Sequence, residues 1–304
     1  MFGEHVNCVA LVSSDIERTV HIFGHLLATE PRCVTDLGEA YYVMPVGRTA
    51  ISVFPKGHNC IPHEARPGVN HIEVGLKNPA QWIEKLSISS KVVARRGKSD
   101  IYALDSEHFG GVAIRVSEPV DSVSQLDGHV QRIDHLGIAS KDVYLNEKVF
   151  AGGLGLQVES RQTDMEVINA IESFTSDKYG VVYHARAPQP IGGLRVTFIT
   201  IGDFELEFLA NFNPSQTAVI EHGAHGTTKQ DQGAITRYVE SRGEGLHHLA
   251  LKVKNIDGTL SSLKNIGVDL IDHVGRPGSR RARIGFIHPK AVGGILIHLV
   301  ERDD

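Results

Sequence analysis

The hydrophobic pattern of this chain repeats four times. Each copy opens with an alternating apolar run that predicts a strand, and each run carries one Cys or His at the same position. The runs are VNCVALVSSDI, VNHIEVGLKNP, IDHLGIASKDV and LHHLALKVKNI. The residues in register are Cys8, His71, His135 and His248.

A polar residue suited to cap a helix follows each run, and an amphipathic segment comes next. The spacing predicts helices over residues 15–27, 78–86, 142–150 and 255–266. Further alternating segments complete each copy, and the last of them align glycine on glycine: VGRTAISVF with IGDFELEFL, and FGGVAIRVSE with VGGILIHLVE. The repeating unit is therefore βαβββ.

Four such units predict an α+β protein of two modules, each a curved mixed sheet with flanking helices. We expect the modules to span residues 1–122 and 130–304, joined by the polar segment SEPVDSVSQLDGH. Two insertions, at 162–193 and 211–243, lengthen the second module, and the second insertion contains a predicted short helix in TKQDQGAITRYVESRG. Long insertions in compact folds are commonly substrate loops or lids, an interpretation we favour over surface decoration.

The repeat places metal-ligand chemistry in the second module. Its four equivalent positions hold His135, Glu207, His248 and His298, whereas the first module holds Cys8, Ser52, His71 and Arg115. Three imidazoles and one carboxylate suit a divalent Fe, Mn, Co, Ni or Zn ion. A single inward histidine is more often a hydrogen-bonded core residue, but the coincidence of four polar positions in one module favours a metal. Because Arg115 would repel a cation, the first module is predicted to be metal-free.

Residues beside these positions have their own interpretations. Glu205 would face inward instead of Glu207 if the strand register slipped. His247 is predicted to point to the face opposite His248, in a structural or supporting role. His288, in FIHPK, is predicted to hold a turn.

The pattern resembles the vicinal oxygen chelate superfamily, whose members pair βαβββ units around a metal. The resemblance covers both modules in outline and is strongest from Glu240 onward, where GEGLHHLAL, GVDLID, RPG and HPKAVGGILI are similar to the methylmalonyl-CoA epimerase branch. It implies a metal on His135, Glu207, His248 and the residue at 298. The family normally has a glutamate in that last position, which binds metal and helps proton transfer in epimerases and glyoxalases and also serves extradiol dioxygenases. This chain has LIHL where the family has LIEL. Because His298 replaces the glutamate, the site has one negative charge fewer and the metal should be a stronger Lewis acid.

The resemblance also implies that the metal binds two neighbouring substrate oxygens and stabilises an enolate. Proton removal then needs a base near the metal, and the candidates are Glu207, His298, Tyr183 and His184. Four arginines in RPGSRRAR are candidates to capture a carboxylate or phosphate, with a solvated basic turn as the alternative: Arg276, Arg280, Arg281 and Arg283. This segment replaces a glycine-rich loop of the epimerase pattern, so the resemblance does not strongly imply a CoA substrate.

Three functions remain open from the sequence. The first is an isomerase or epimerase of a hydroxy-ketone, keto-acid or acyl thioester, acting through a metal-chelated enolate. The second is a non-haem Fe(II) dioxygenase that cleaves a ring or a C–C bond, which the metal-free first module favours. The third is a ligand-binding or resistance protein, against which the intact ligand set counts.

The composition of the chain favours a small-molecule substrate as its binding partner. A net charge of −5 gives no reason to expect nucleic acid or a membrane, and no run approaches the length of a membrane helix. The first residues lack a signal-peptide pattern, and three cysteines without a CxxC pair favour a reducing compartment, so a cytoplasmic location is expected. A homodimer is possible, although pairing of modules within one chain removes the need for one.

Overall fold

The computed structural model describes residues 2–36, 38–122, 124, 126–212 and 233–303. Its first eight strands form one mixed sheet: β1 Val6–Ser13, β2 Arg32–Asp36, β3 Glu39–Val46, β4 Thr49–Pro55, β5 Gly68–Gly75, β6 Ser90–Arg96, β7 Ser99–Leu104 and β8 Ile114–Ser117. A second sheet of eight strands and a separate hairpin follow: β9 Val130–Ala139, β10 Val158–Ile168, β11 Ile171–Ser176, β12 Gly180–Ala185, β13 Gln189–Ile201, β14 Phe204–Phe212, β15 Gly245–Val253, β16 Arg276–Pro277, β17 Arg283–Ile287 and β18 Ile297–Glu301.

The two sheets share one strand order. The first runs β2-β3-β4-β1-β5-β8-β7-β6, and the second runs β10-β13-β14-β9-β15-β18-β17-β16. In each unit the opening strand pairs in parallel with the last strand, while the two opening strands of a sheet pair antiparallel. The predicted α+β fold of four βαβββ units in two modules is therefore confirmed. The sheets draw their strands from within 1–122 and 130–304, and these domain boundaries stay a prediction.

Helices begin where the capping residues predict. Their bounds are α1 Ile16–Leu27, α2 Pro79–Leu86, α3 Val143–Glu147, α4 Ala234–Arg242 and α5 Ile256–Asn265. The side chains of Asp15, Asp142 and Asn255 each accept a hydrogen bond from a backbone N–H of the first turn. The apolar faces then pack on the sheets, as when α1 buries Ile22, Phe23 and Leu26. None of the described helices is long and apolar enough to cross a bilayer.

The third helix departs from its prediction. The α-helix ends at Glu147 and the chain continues as a π-helical segment, Lys148–Gly153, rather than as an α-helix to residue 150. The wider turn buries the Phe150 ring, whose centroid lies 4.9 Å from that of Phe208 and 6.2 Å from that of Phe109 in the first module. Phe150 thus packs against both modules from within the π-helical segment.

The first insertion of the second module is a β-arm. Strands β10 and β13 run far beyond their counterparts in the first sheet and lead into the β11–β12 hairpin. Of the second insertion, α4 confirms the predicted short helix, and residues 213–232 lie outside the described part of the chain. Whether either insertion is a lid stays a prediction.

Candidate metal centre

Four neighbouring strands bring the predicted ligand positions together. The centre of the second sheet runs β14-β9-β15-β18, and these strands carry Glu207, His135, His248 and His298 in that order. All four residues are buried, with 3–7% of their surface exposed. Glu207 pairs with Gly137, two residues along β9 from His135, and His298 pairs with Ala250, two residues along β15 from His248. Because paired residues and residues two apart in a strand share a face, the four side chains lie on one face of the sheet.

The donor atoms have the spacing expected of ligands that share one ion. His135 Nε2 lies 3.2 Å from Glu207 Oε2, 3.4 Å from His248 Nε2 and 3.3 Å from His298 Nδ1. Glu207 Oε2 is also 3.4 Å from His248 Nε2. Bonds of about 2.0–2.2 Å to one ion separate adjacent donors by about 3.0–3.5 Å in octahedral or tetrahedral geometry. The observed distances fall in this range.

The three imidazoles form the tightest group. Their donor atoms all lie within 4.8 Å of one another, and Glu207 joins them through His135 and His248. Neutral imidazole and carboxylate are the donors that divalent transition ions prefer, so the residues present fit the predicted ion.

Supporting residues orient two of the imidazoles. Asp134 Oδ1 accepts a hydrogen bond from His135 Nδ1 at 2.8 Å, which leaves Nε2 for an ion. His248 Nδ1 lies 3.0 Å from His247 Nδ1, so its Nε2 also points to the centre. A carboxylate or imidazole behind a ligand histidine is the usual way to fix its tautomer.

The prediction for His247 is wrong in its geometry. The pairing of β15 with β9 skips one residue between Leu246 and His248, so His247 is the extra residue of a β-bulge. The bulge turns its ring to the same side as His248, and both rings line the cavity of the site. Burial and the nearby His248 lower the pKa of His247 to about 3, which keeps it neutral.

Gly137 makes room for His248. It pairs with Glu207 on one side and His248 on the other, and the His248 ring crosses directly over it. A Cβ at residue 137 would lie 2.0 Å from His248 Cε1, which no side chain can tolerate. Gly137 is not among the residues predicted from the sequence, although the repeat contains a signal: the equivalent positions hold Ala10, Glu73 and Ala250.

The pKa values of the residues at the centre depend on one another. Burial lowers the pKa of His135, but Glu207 and Asp134 outweigh it and raise the value to about 9. His135 in turn outweighs burial and holds the pKa of Glu207 well below its ordinary range. Burial, together with His135 and His248, holds the pKa of His298 well below 6.5. An ion at this position would therefore compete with a proton on His135.

His298 lies between the centre and an aromatic ring. Its imidazole stacks flat on Phe286, with centroids 4.3 Å apart, and the Arg276 guanidinium lies 5.6 Å from the Phe286 centroid. Its Nε2 is buried and has no hydrogen-bond partner among the described residues. The stack fixes the plane of the ring and directs Nδ1 towards His135.

A cavity of about 320 Å³ opens on the centre. Besides the four candidate ligands, its walls are mainly apolar and include Phe198, Leu209, Ile235, Ile284 and Phe286. Such a cavity with a few convergent polar groups at one end is typical of a small-molecule site.

The RPGSRRAR segment divides between two environments. Arg276 and Arg280 line the cavity, but each already has carboxylate partners: Asp272 lies 3.0 Å from Arg276, and Asp134 lies 3.3 Å from Arg280. Arg281 and Arg283 lie outside the cavity, and Arg283 pairs with Asp257 at 2.6 Å. Arg280 and Arg281 both have left-handed backbones, with φ of 54° and 58°, and this tight turn sends the two side chains apart.

Arg302 is a cavity residue that the sequence analysis missed. It lies in the chain after β18 and pairs with Asp134 at 3.2 Å and Glu205 at 3.7 Å. Glu205 therefore contacts arginines and Glu207 contacts the histidines, so the strand register has not slipped. No local pattern marks Arg302, because its partners come from strands β9 and β14.

Two predicted base candidates are not at the site. Tyr183 and His184 lie on β12 of the exposed hairpin, with 71% of Tyr183 exposed, and neither lines the cavity. His184 instead packs edge-on against Phe174 of β11. His288 holds a turn as predicted, since its ring accepts a hydrogen bond from the backbone N–H of Lys290.

The equivalent face of the first sheet is filled. Arg115 donates to the carbonyl of Cys60 at 2.5 Å, and Cys60 and Ile61 pack with Ala10, Val12 and Phe54. The chain between β4 and β5 thus covers the positions of Cys8, Ser52, His71 and Arg115. Burial and Glu73 raise the pKa of Cys8 to about 12, which keeps the thiol protonated.

Residues 134–286, just over half of the chain, match the family model of the glyoxalase/bleomycin resistance protein/dioxygenase superfamily. The chain belongs to this superfamily. The matched range begins beside His135 and includes Glu207 and His248, and the predicted membership is confirmed.

Comparison with known proteins finds relatives in sequence and one structure of the same fold. Human mitochondrial methylmalonyl-CoA epimerase is 21% identical over 187 residues, which cover 62% of this chain and 83% of the human protein. The uncharacterized protein YqjC of Bacillus subtilis is 36% identical over 64 residues, covering 21% of this chain and 46% of YqjC. The solved structure of a 4-hydroxymandelate synthase mutant from Streptomyces coelicolor matches the whole chain with a TM-score of 0.62 at 12% identity, covering 94% of the synthase. The synthase shares the fold, and the epimerase relationship confirms, at the level of the family, that this protein is an enzyme.

Proposed function

We propose that the protein is a metal-dependent isomerase or epimerase of a small oxygenated substrate. The observation that carries this proposal is the set of four buried donors, His135, Glu207, His248 and His298, that line a mainly apolar cavity. A divalent ion held there would polarise a substrate carbonyl and favour the enolate that forms when the neighbouring C–H loses its proton.

The number of donors favours this chemistry over oxygen activation. Four protein donors would hold an ion and would leave room on it for the oxygens of one substrate. Iron oxygenases typically use three protein donors, so that oxygen can bind beside the substrate. His298 is therefore the residue that separates the two reactions.

Residues of the cavity would supply orientation and proton transfer. The apolar walls exclude water, and Phe286 holds His298 in place. Glu207 places Oε2 at the histidines, so its other oxygen is our first candidate for the base. His298, whose Nε2 lacks a partner among the described residues, is the second.

A dioxygenase is the alternative, supported by the two-module architecture that the synthase shares across the whole chain. It would require His298 to leave the ion, so that His135, His248 and Glu207 formed a set of two histidines and one carboxylate.

Metal content, oxygen uptake and hydrogen exchange together test the proposal. The purified protein is loaded in turn with Fe, Mn, Co, Ni or Zn and incubated in D2O with hydroxy-ketones, keto-acids and acyl thioesters. We expect deuterium to enter the carbon beside the carbonyl without oxygen consumption. Stoichiometric oxygen consumption with an iron-loaded sample would establish the dioxygenase instead, and absence of bound metal would refute both.

A further inference from the structure

We propose that this chain associates with a second copy of itself through strand β12 of the exposed hairpin. Two β12 strands pair antiparallel across a two-fold axis and form a four-stranded sheet of order β11-β12-β12-β11. This contact lies outside the metal centre, so the inference goes beyond the proposed function and does not depend on it.

The hairpin stands apart from the rest of the fold. Its strands, Ile171–Ser176 and Gly180–Ala185, pair with each other and with no other described strand. None of its residues belongs to the hydrophobic clusters of the described core, and every residue of β12 is exposed. An isolated two-stranded hairpin is at best marginally stable in water. A partner that covers this hairpin would therefore stabilise it.

The hairpin also concentrates the exposed apolar surface of the protein. More than half of the exposed large hydrophobic side chains in the described part of the chain lie on it or beside it: Val167, Ile171, Phe174, Tyr179, Val181, Val182 and Tyr183. With about 150–250 Å² for a whole aromatic side chain, their exposed surface is on the order of 700 Å². The largest apolar patch of a typical monomer is about 300–600 Å², and each partner of a stable complex buries about 800 Å². One hairpin therefore carries enough apolar surface to supply most of its share of a dimer interface.

Strand β12 differs from the edge strands of the two large sheets. Those edge strands are β2, β6, β10 and β16. Three of them carry charged side chains, among them Arg32, Lys91 and Glu159, and β16 is only two residues long and ends in Pro277. Charge, proline and short length keep an exposed edge from pairing with another chain. Strand β12, with the sequence GVVYHA, has six residues and contains no Asp, Glu, Lys, Arg or Pro. Its edge is therefore suited to pairing.

Strand β11 limits the association to two chains. It carries Glu172, whose carboxylate pairs with Arg186 beyond the end of β12, so its free edge has a charge that β12 lacks. Two identical β12 edges related by a two-fold axis run antiparallel and contact each other with the same residues. The outer strands of the resulting sheet are then the two β11 strands. Association therefore closes at a dimer instead of continuing into a fibre.

Analytical ultracentrifugation of the full chain measures the association. We expect a dimer at protein concentrations of about 10–100 µM, because interfaces of about 1,600 Å² in total bind with micromolar or stronger affinity. A protein that stays monomeric at about 100 µM would contradict the inference. Growth into oligomers larger than the dimer would contradict it too, since the β11 edges would then fail to end the association.

A matched pair of lysine variants tests the edge. Val181 and Thr175 lie directly opposite each other in the hairpin, and both are exposed. Val181→Lys places a charge on the pairing edge and should raise the dimer dissociation constant at least about tenfold, whereas Thr175→Lys adds the same charge to β11 and should change it less than about twofold. An unchanged dimer in both variants would place the interface elsewhere. Loss of the dimer in both would assign the contact to the hairpin faces, and either result refutes pairing through β12.

Cross-linking locates the contact independently of its affinity. Cys8 and Cys60 are buried, so Cys33→Ser removes the exposed cysteine of the chain. In that background Val181→Cys should be joined to its copy by a short bismaleimide, whereas Thr175→Cys, one strand further from the axis in each chain, should remain mostly unlinked. Equal cross-linking of the two variants, or no cross-linking of Val181→Cys, would show that the β12 edges do not meet.

Discussion

The two sheets of this protein share a strand order and differ in what covers their concave faces. In the first sheet the β4–β5 connection fills the face, and Arg115 anchors it through the Cys60 carbonyl. In the second sheet the same face opens on a cavity that three histidines and a glutamate help to line. One fold thus supports either a filled face or an open cavity with a candidate metal centre, and the difference lies in a few side chains and one connection.

The position held by Glu73 in the first sheet and Ala250 in the second shows how side chains fill or open the face. Glu73 in the first sheet pairs with Arg96 at 2.8 Å and accepts a hydrogen bond from Ser117, so it fills the space beside Cys8. Ala250 stands there in the second sheet and packs with Ala282, Ile284 and Val300. The small residue leaves room in front of the histidines, whereas the large one closes the face with a polar network.

The largest effect should come from removing a ligand. His135→Ala and His248→Ala each delete one of the donors that contact Glu207, so we expect metal content to fall from about one ion per chain to below about a tenth. His71→Ala is the matched control, because it removes the equivalent histidine of the filled face. Elemental analysis after dialysis measures all three. Unchanged metal in both site variants would disprove the assignment of the centre.

Gly137→Ala should have the next largest effect. Its Cβ would displace the His248 ring, lowering metal affinity about 10–100-fold and stability by about 1–3 kcal/mol. Gly152→Ala is the control, since a Cβ there meets no atom within 4 Å. Competition with a chelator gives the affinity and urea unfolding gives the stability. Wild-type affinity in Gly137→Ala would show that the ring does not depend on this close approach.

Glu73→Gln should weaken the first sheet without changing metal content. Burial raises the pKa of Glu73, but Arg96, Ser117 and Asn7 outweigh it, so the folded-state pKa lies below 4.5. The ionised Glu73 carboxylate therefore stabilises the folded state fully when the pH is above the ordinary pKa of 4.5. This stabilisation is lost as the pH falls through the lower pKa of the folded state. Because Arg96 is partly exposed, we expect a loss of about 1–2 kcal/mol at pH 7 that shrinks below about pH 4.

The control for Glu73→Gln is Asp100→Asn, which breaks the exposed pair of Asp100 with Arg95 and should cost less than about 0.5 kcal/mol. Urea unfolding at several pH values compares the two. A loss in Glu73→Gln that stayed constant down to pH 3 would show that its ionised carboxylate is not the source.

The smallest effect should come from Tyr183→Ala and His184→Ala. Both side chains lie on the exposed hairpin, away from the cavity, so metal content and kcat/KM should stay within about twofold of wild type. A tenfold loss of kcat/KM with unchanged metal content would mean that the hairpin reaches the site during turnover.

The repeat in the sequence was sufficient to predict the fold and to place the four candidate ligands on one sheet. Strand periodicity is a local property, so aligned copies reveal which positions share a face, and the strand pairing agrees with that alignment. The same alignment predicts that the first face binds no metal, from Cys8, Ser52, His71 and Arg115, and this stays a prediction.

Other features were decided by contacts between distant segments. The bulge that turns His247 towards the site depends on the pairing of β15 with β9, and the need for Gly137 arises only when His248 crosses it. Sequence periodicity also does not predict the turn that separates Arg280 from Arg281. The same holds for the covering of the first face and for the position of Arg302. The sequence by itself determined the fold and the candidate ligand positions, because both follow from local periodicity. The tertiary structure decided which face stays open, because that depends on long-range packing and charge pairing.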